Sequence, residues 1–150
     1  MSNDDVARSI LDTVAYMVLA TADGDGVPWA SPVWFAPDGY RDLYWISDPE
    51  ARHSRNIAAR AEIGIVVFDS TASPDTRQAV YLQATAARVD DPGAIAHGVE
   101  AFTRASVDQG LGALKIEEVT VGARFRLYRA HVHAWWVLDP DHDVRIPAQP

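Results

Sequence analysis

Residues 47–60, "SDPEARHSRNIAAR", place Ser47, Arg52, His53, Arg55 and Arg60 close together in a 150-residue chain whose formal net charge is −8. A hydroxyl, a guanidinium and an imidazole at this spacing suit the binding of a phosphate-like anion. Arginine offers a planar fork of donors to two oxygens, and the hydroxyl and ring N–H add further hydrogen bonds. The flanking sequence predicts how they meet. "LYWIS" reads as a strand ending at Ser47, Asp48 as a helix cap, and Pro49 as the first helical residue, where no backbone N–H is needed. The first turn of such a helix directs unpaired N–H groups and the positive end of its dipole at a ligand, directly beside Arg52 and His53. The competing reading is a surface helix that carries arginines for solubility. Arg55 fits either reading, and Arg60 reads as solvated.

Other chemistries find no support. The chain has no cysteine, so disulfides, thiolate metal sites and a cysteine nucleophile are excluded. Neither a dinucleotide fingerprint nor a P-loop occurs, and Ser31, Ser47 and Ser54 lack the frame of a nucleophile elbow. "DPDHDV" spaces carboxylates like a calcium loop, but Val144 stands where glycine is required and Pro150 where glutamate is. His131 and His133, two apart on a strand, share a face and would need His142 or a carboxylate to hold a metal. They read as surface or interface histidines, and no metal site is expected.

The elements that must position these groups follow from composition and periodicity. With 48% apolar and 23% charged residues, the chain reads as one ordinary globular domain over residues 1–150. Its acidic balance, with twelve arginines and one lysine, Lys115, argues against a phosphate backbone as partner. No apolar run approaches the roughly 20 residues of a membrane span, and "MSNDDVARS" does not resemble a leader, so no membrane partner and a cytoplasmic location are expected.

Residues 3–14 repeat Val6, Ile10 and Val14 at helical spacing. "YMVLATAD" and "VPWASPVWFAPDGYRDLYWIS" read as three strands broken at "GDG" and Asp38-Gly39. "EIGIVVFD" is a strand. "QAVYLQATAARVDD" alternates Val80, Leu82 and Ala84 with Tyr81, Gln83 and Thr85. Asp91 and Pro92 start the longest helix, with Ile95, Val99 and Phe102 on one face. "ARFRLYRAHVHAWWVLD" is the last long strand. Strict alternation puts Val132, Ala134, Trp136 and Leu138 on one face, and His131, His133, Trp135 and Val137 on the other. Core burial and ring contact are then equally open to Trp136, with Trp135 its rival. "PDHDVRIPAQP" reads as a polar tail. About six strands and three helices predict a mainly β (α+β) fold built on a β-barrel.

In order and spacing, "LATADGDGVPWASPVWF", "LYWISDPEARHSRNI", "RQAVYLQATAARV" and "AWWVLDPDHDVRIP" resemble the FMN-binding split-barrel flavoproteins related to pyridoxamine 5′-phosphate oxidase, over roughly residues 8–147. The resemblance implies a six-stranded antiparallel split β-barrel with flanking helices. It also implies a homodimer holding two FMN molecules between subunits, and a small-molecule substrate. It assigns the phosphate to Arg52, His53 and Ser47 with Ile46, the ring edge to the backbone of Ser31, Pro32, Val33 and Trp34, and a further contact to Gln78. Trp136 and Arg145 would come from the other subunit. His53 stands where the oxidase has lysine and Ser31 where it has arginine. Gln78 fits only with a one-residue shift, and the oxidase's substrate-binding Arg and His are not reproduced. The implied function is that of a relative: an FMN-dependent oxidoreductase. The alternatives are a deazaflavin-dependent reductase, or a protein that holds flavin or haem without turnover. No acid, base or nucleophile constellation identifies a catalytic residue.

Overall fold

The computed structural model describes residues 1–150. Three helices, α1 (Asn3–Thr13), α2 (Arg52–Ala59) and α3 (Pro92–Asp108), surround eight strands. The strands are β1 (Tyr16–Ala22), β2 (Pro28–Trp34), β3 (Ala36–Asp38), β4 (Asp42–Ser47), β5 (Glu62–Phe68), β6 (Ala79–Arg88), β7 (Arg126–Asp139) and β8 (Val144–Ala148). They form one antiparallel sheet in the order β2-β1-β5-β6-β7-β4-β3. On the side of β7 away from β6, β4 pairs with the first half and β8 with the second. The mainly antiparallel α+β class is as expected, but there are eight strands rather than six. One extra strand arises where Phe35 separates β2 from β3, and the other where the supposed tail turns back as β8. That tail disguised itself because it is an edge strand: Val144 and Ile146 alternate with Arg145 and Pro147, and only an edge tolerates such a proline. Its turn is set by Asp139, whose carboxylate accepts from the Asp141 N–H at 3.0 Å and lies 2.8 Å from His142 Nδ1. No helix is long and apolar enough to cross a membrane.

Met17, Leu19, Leu43, Trp45, Val67, Val80 and Val132 fill the curl of the sheet and are essentially inaccessible, with Ala7 and Leu11 of α1 packed among them. A second cluster lies outside β4 and β7, where α3 lays Ile95 and Val99 over Tyr44 and Leu127. β4 is thus buried on both faces, which explains its continuous apolar run "LYWI". α3 begins as its sequence predicts: Asp91 accepts from the Ala94 N–H at 2.9 Å, with Pro92 in the first turn. Gly98 lies where this helix meets the sheet, and a Cβ there would sit 2.6 Å from Leu127 Cδ2 and 2.8 Å from Tyr44 Cε1. Gly98→Ala should therefore destabilise the protein by about 1 kcal/mol. The overpacking outweighs the usual helical gain of alanine over glycine. A lower urea midpoint with unchanged slope is the expected reading, and an unchanged or raised midpoint would show that the neighbours yield freely.

One departure from strict alternation changes how the last long strand is read. Gln83 pairs with Ala134 but Ala84 pairs with Val132, so His133 is an extra residue in β7. Such a bulge shifts the inward face by one position. Ala130 and Val132 are buried before it, Trp135 and Val137 after it. The face proposed for Val132, Ala134, Trp136 and Leu138 is therefore corrected: Trp135 joins Val132 in the core, and Trp136 turns outward. Trp135 is buried, donates from Nε1 to the Tyr40 carbonyl at 3.1 Å and has the Arg41 guanidinium 4.9 Å from its ring centre.

Candidate functional site

The open curl brings β2 and β4, which are not neighbours in the sheet, to either side of the start of α2. Along β2, Trp29, Ser31 and Val33 share a face, and Val33 enters the core. Along β4, Leu43, Trp45 and Ser47 do the same, so Ser31 and Ser47 continue two core-facing rows toward one end of the curl. His53 lies between them, with Nδ1 3.2 Å from Ser31 Oγ and Nε2 2.8 Å from Ser47 Oγ. Arg52 places its guanidinium 4.3 Å from the centre of the exposed Trp29 ring, a cation–π contact. α2 is anchored from below, where buried Asn56 donates to Thr21 Oγ1 at 3.0 Å.

Asp48 does not cap α2, and Pro49 is not its first helical residue. The helix starts at Arg52, with Ala51 as a cap residue that has no side-chain bond to the first turn. Asp48 instead organises the turn before it: its carboxylate accepts from the Glu50 N–H at 2.9 Å and its carbonyl from the Ala51 N–H at 3.0 Å. Asp followed by Pro is a strong turn signal as well as a helix-start signal, and here the turn prevails. The consequence favours an anion, because the first-turn N–H groups of α2 have no side-chain acceptor. Arg60 is exposed, in keeping with a solvated residue. It donates to the carbonyls of Asp23 at 2.7 Å and Gly24 at 3.1 Å, tying the end of α2 to the β1–β2 turn. Arg55 is exposed on the same helix.

Burial holds the imidazole of His53 below its ordinary pKa. It therefore favours the neutral ring, which uses one nitrogen as donor and the other as acceptor between the two amphoteric hydroxyls. The sign of the linkage follows: the unfolded chain binds this proton more readily, so the stability contributed by neutral His53 is present above about pH 6.5 and is lost on acidification toward the folded value. Melting temperature should fall as the pH drops below about 6.5, and His53→Gln, which cannot titrate, should flatten that part of the profile. An identical slope in the variant would remove His53 from the account.

The remaining site residues fall into three groups. Val33 is core and the Trp34 ring is engaged by α3, edge to face with Phe102 at 4.9 Å and donating to Gln109 Oε1 at 3.1 Å. What β2 offers a ligand in this stretch, Pro32 included, is the backbone of an end strand paired only with β1. The Ile46 side chain packs with the α3 cluster, on the face opposite Ser47. Gln78 is not brought to His53 in this chain: it lines a cleft of about 700 Å³ with Tyr16, Phe68 and Thr76. That cleft is at the Phe68 end of β5, whereas α2 leads into the Glu62 end. Trp136 and Arg145 form their own cluster on the β7–β8 hairpin, with the guanidinium 5.0 Å from the ring centre. The sequence reading missed Trp29 and Asn56. Trp29 was detectable, since it lies two residues before Ser31 on the same strand face.

The donor set tests well against a phosphomonoester. It supplies a planar guanidinium, an imidazole, two hydroxyls and uncapped helix N–H groups.

No curated protein matches the chain. Among solved structures, the haem-binding protein of Mycobacterium smegmatis is 22% identical with a TM-score of 0.72; the match covers 92% of this chain and 54% of that one. The present chain thus spans about half the length of that protein. The haem storage protein HutZ of Vibrio cholerae is 20% identical with a TM-score of 0.62, over 89% of this chain and 92% of that one. An F420 reductase is 18% identical with a TM-score of 0.61, over 85% and 94%. At these identities the likeness establishes a shared fold. The family model described as pyridoxamine 5′-phosphate oxidase matches residues 4–139, all but the two ends of the chain. With a split-barrel sheet and a family model matched over most of its length, the chain belongs to the pyridoxamine 5′-phosphate oxidase family.

Proposed function

We propose that this protein is an FMN-dependent oxidoreductase that acts on a small molecule, as a homodimer with the cofactor between subunits. The observation that carries the reading is the convergence of Ser31, Ser47, His53 and Arg52 at the start of α2. Arg52, His53 and Ser47 would hold the phosphate, and the backbone of residues 31–34 would orient the ring. Trp136 and Arg145, outward on the β7–β8 hairpin, would serve the partner's site. The bound flavin would supply the hydride chemistry; the protein's part is clamping, orientation and exclusion of water.

A second reading shares the phosphate site but replaces FMN with a deazaflavin, and the structural likeness to an F420 reductase favours keeping it. Haem binding without turnover is the third, motivated by the two haem proteins of the same fold. Parallel titration of the protein with FMN, the deazaflavin and haemin separates the three. Saturable, preferential binding of FMN, with NAD(P)H reducing the complex and a small acceptor reoxidising it, is expected. Preference for either other ligand would replace the proposal by that reading.

A further inference from the structure

We propose that His53 couples cofactor binding to proton uptake: the neutral imidazole is held between Ser31 and Ser47 until a phosphomonoester docks beside Arg52, and it then takes a proton from solvent. The inference rests on the phosphate reading above and adds a regulatory property that a permanently charged lysine in this position would not confer.

The geometry permits both protonation states without moving the ring. Each nitrogen faces a hydroxyl, at 3.2 and 2.8 Å, and a hydroxyl can donate or accept. A neutral ring accepts from one serine and donates to the other, whereas an imidazolium donates to both. Surrounding charge therefore decides the state. On α2 itself, Arg52 and Arg55 disfavour a proton. From β4, Asp42 and Tyr44 lie beyond Trp45, and Asp48 just after the strand is paired with Arg124 at 3.7 Å. β2 from Pro28 to Trp34 has no ionisable side chain. After β1, Asp23 accepts from the N–H groups of Asp25 and Val27 and lies near Arg52. On β6, Arg88 is paired with Asp90 at 2.9 Å, and Tyr81 is the other ionisable group. The only hydrogen-bond partners of the imidazole are thus two neutral hydroxyls, and burial disfavours its charged form.

A phosphomonoester dianion at the start of α2 reverses this balance, because an opposite charge within about 4–6 Å favours the imidazolium even while both ring nitrogens stay on the two serines. The proton passes from water or buffer to a ring nitrogen, and no bond of the cofactor changes. Between the two pKa values of His53, affinity for the phosphorylated cofactor then falls up to tenfold per unit rise in pH, about one proton's worth of linkage.

Isothermal titration near pH 7.5, in phosphate-free buffers of different ionisation enthalpy, tests this with FMN and riboflavin as probes. The FMN phosphate is itself mostly dianionic there, with a second pKa of about 6. FMN binding should take up a measurable fraction of a proton, riboflavin binding none, and the His53→Gln variant should bind FMN without uptake. No uptake by the wild-type protein, equal uptake with riboflavin, or undiminished uptake in the variant would overturn the coupling while leaving the cofactor reading intact. If neither FMN nor the deazaflavin binds, the cofactor reading fails and the coupling with it. The FMN-against-riboflavin comparison uses only the wild-type protein and so decides the matter even if the variant does not fold.

Discussion

Arg52→Ala should weaken FMN binding by about 1.5–3 kcal/mol, roughly 10- to 150-fold, with little change in thermal stability. The two halves of this result have separate causes. The guanidinium is exposed and lies on the Trp29 face, so folding loses a cation–π interaction of about 0.5–1 kcal/mol. Binding loses a charge-assisted, bidentate contact to a dianion at the end of a helix whose dipole already favours it. Arg52→Lys should recover only part of the loss, because a compact ammonium restores charge but neither the fork nor the flat stack on Trp29. Fluorescence titration of FMN against the three proteins provides the comparison. Equal affinity in all three would move the phosphate away from α2.

Trp45→Ala should destabilise the fold by about 3–5 kcal/mol, the largest effect expected of any single change discussed for this protein. Trp45 is wholly inaccessible and stacks on Tyr128 at 5.7 Å between ring centres. It sits two residues before Ser47 on the same face of β4, so the void would open beneath the candidate site as well as in the barrel. Its Nε1 has no hydrogen-bond partner. That makes Trp45→Phe the informative control. It removes part of the ring volume but also removes an unsatisfied buried donor, whose presence costs about 1–3 kcal/mol. Denaturant unfolding should place the phenylalanine variant much nearer the wild type than the alanine variant. A phenylalanine variant as unstable as the alanine variant would mean that the indole N–H is satisfied by buried water.

The reach of the sequence differs from element to element for identifiable reasons. β1, β5, β6 and α3 carry clean periodicity and unambiguous caps, and the structure forms them where that pattern puts them. β8 escaped because an edge strand needs no apolar run. The outward turn of Trp136 escaped because a bulge at His133 is written in the pairing of β7 with β6, not in either strand alone. Asp48 and Pro49 carried a signal that serves a turn and a helix start equally well, and tertiary placement of α2 chose the turn. At the candidate site the chemistry was legible while the construction was not. Ser47, Arg52 and His53 stand close in sequence, but Ser31 joins them only because the sheet curls, and Trp29 follows it for the same reason. Gln78, Trp136 and Arg145 lie on other parts of the chain, Gln78 in its own cleft and the other two together on the β7–β8 hairpin.

The central claim is that the start of α2 holds the phosphate of a flavin. Its most direct measurement is the visible spectrum of the purified protein titrated with FMN, with the ligand released from the saturated complex identified by mass. The account predicts a yellow protein that binds one FMN per chain and loses most of that affinity when Arg52 is removed. A protein that stays colourless through saturation with FMN would contradict it.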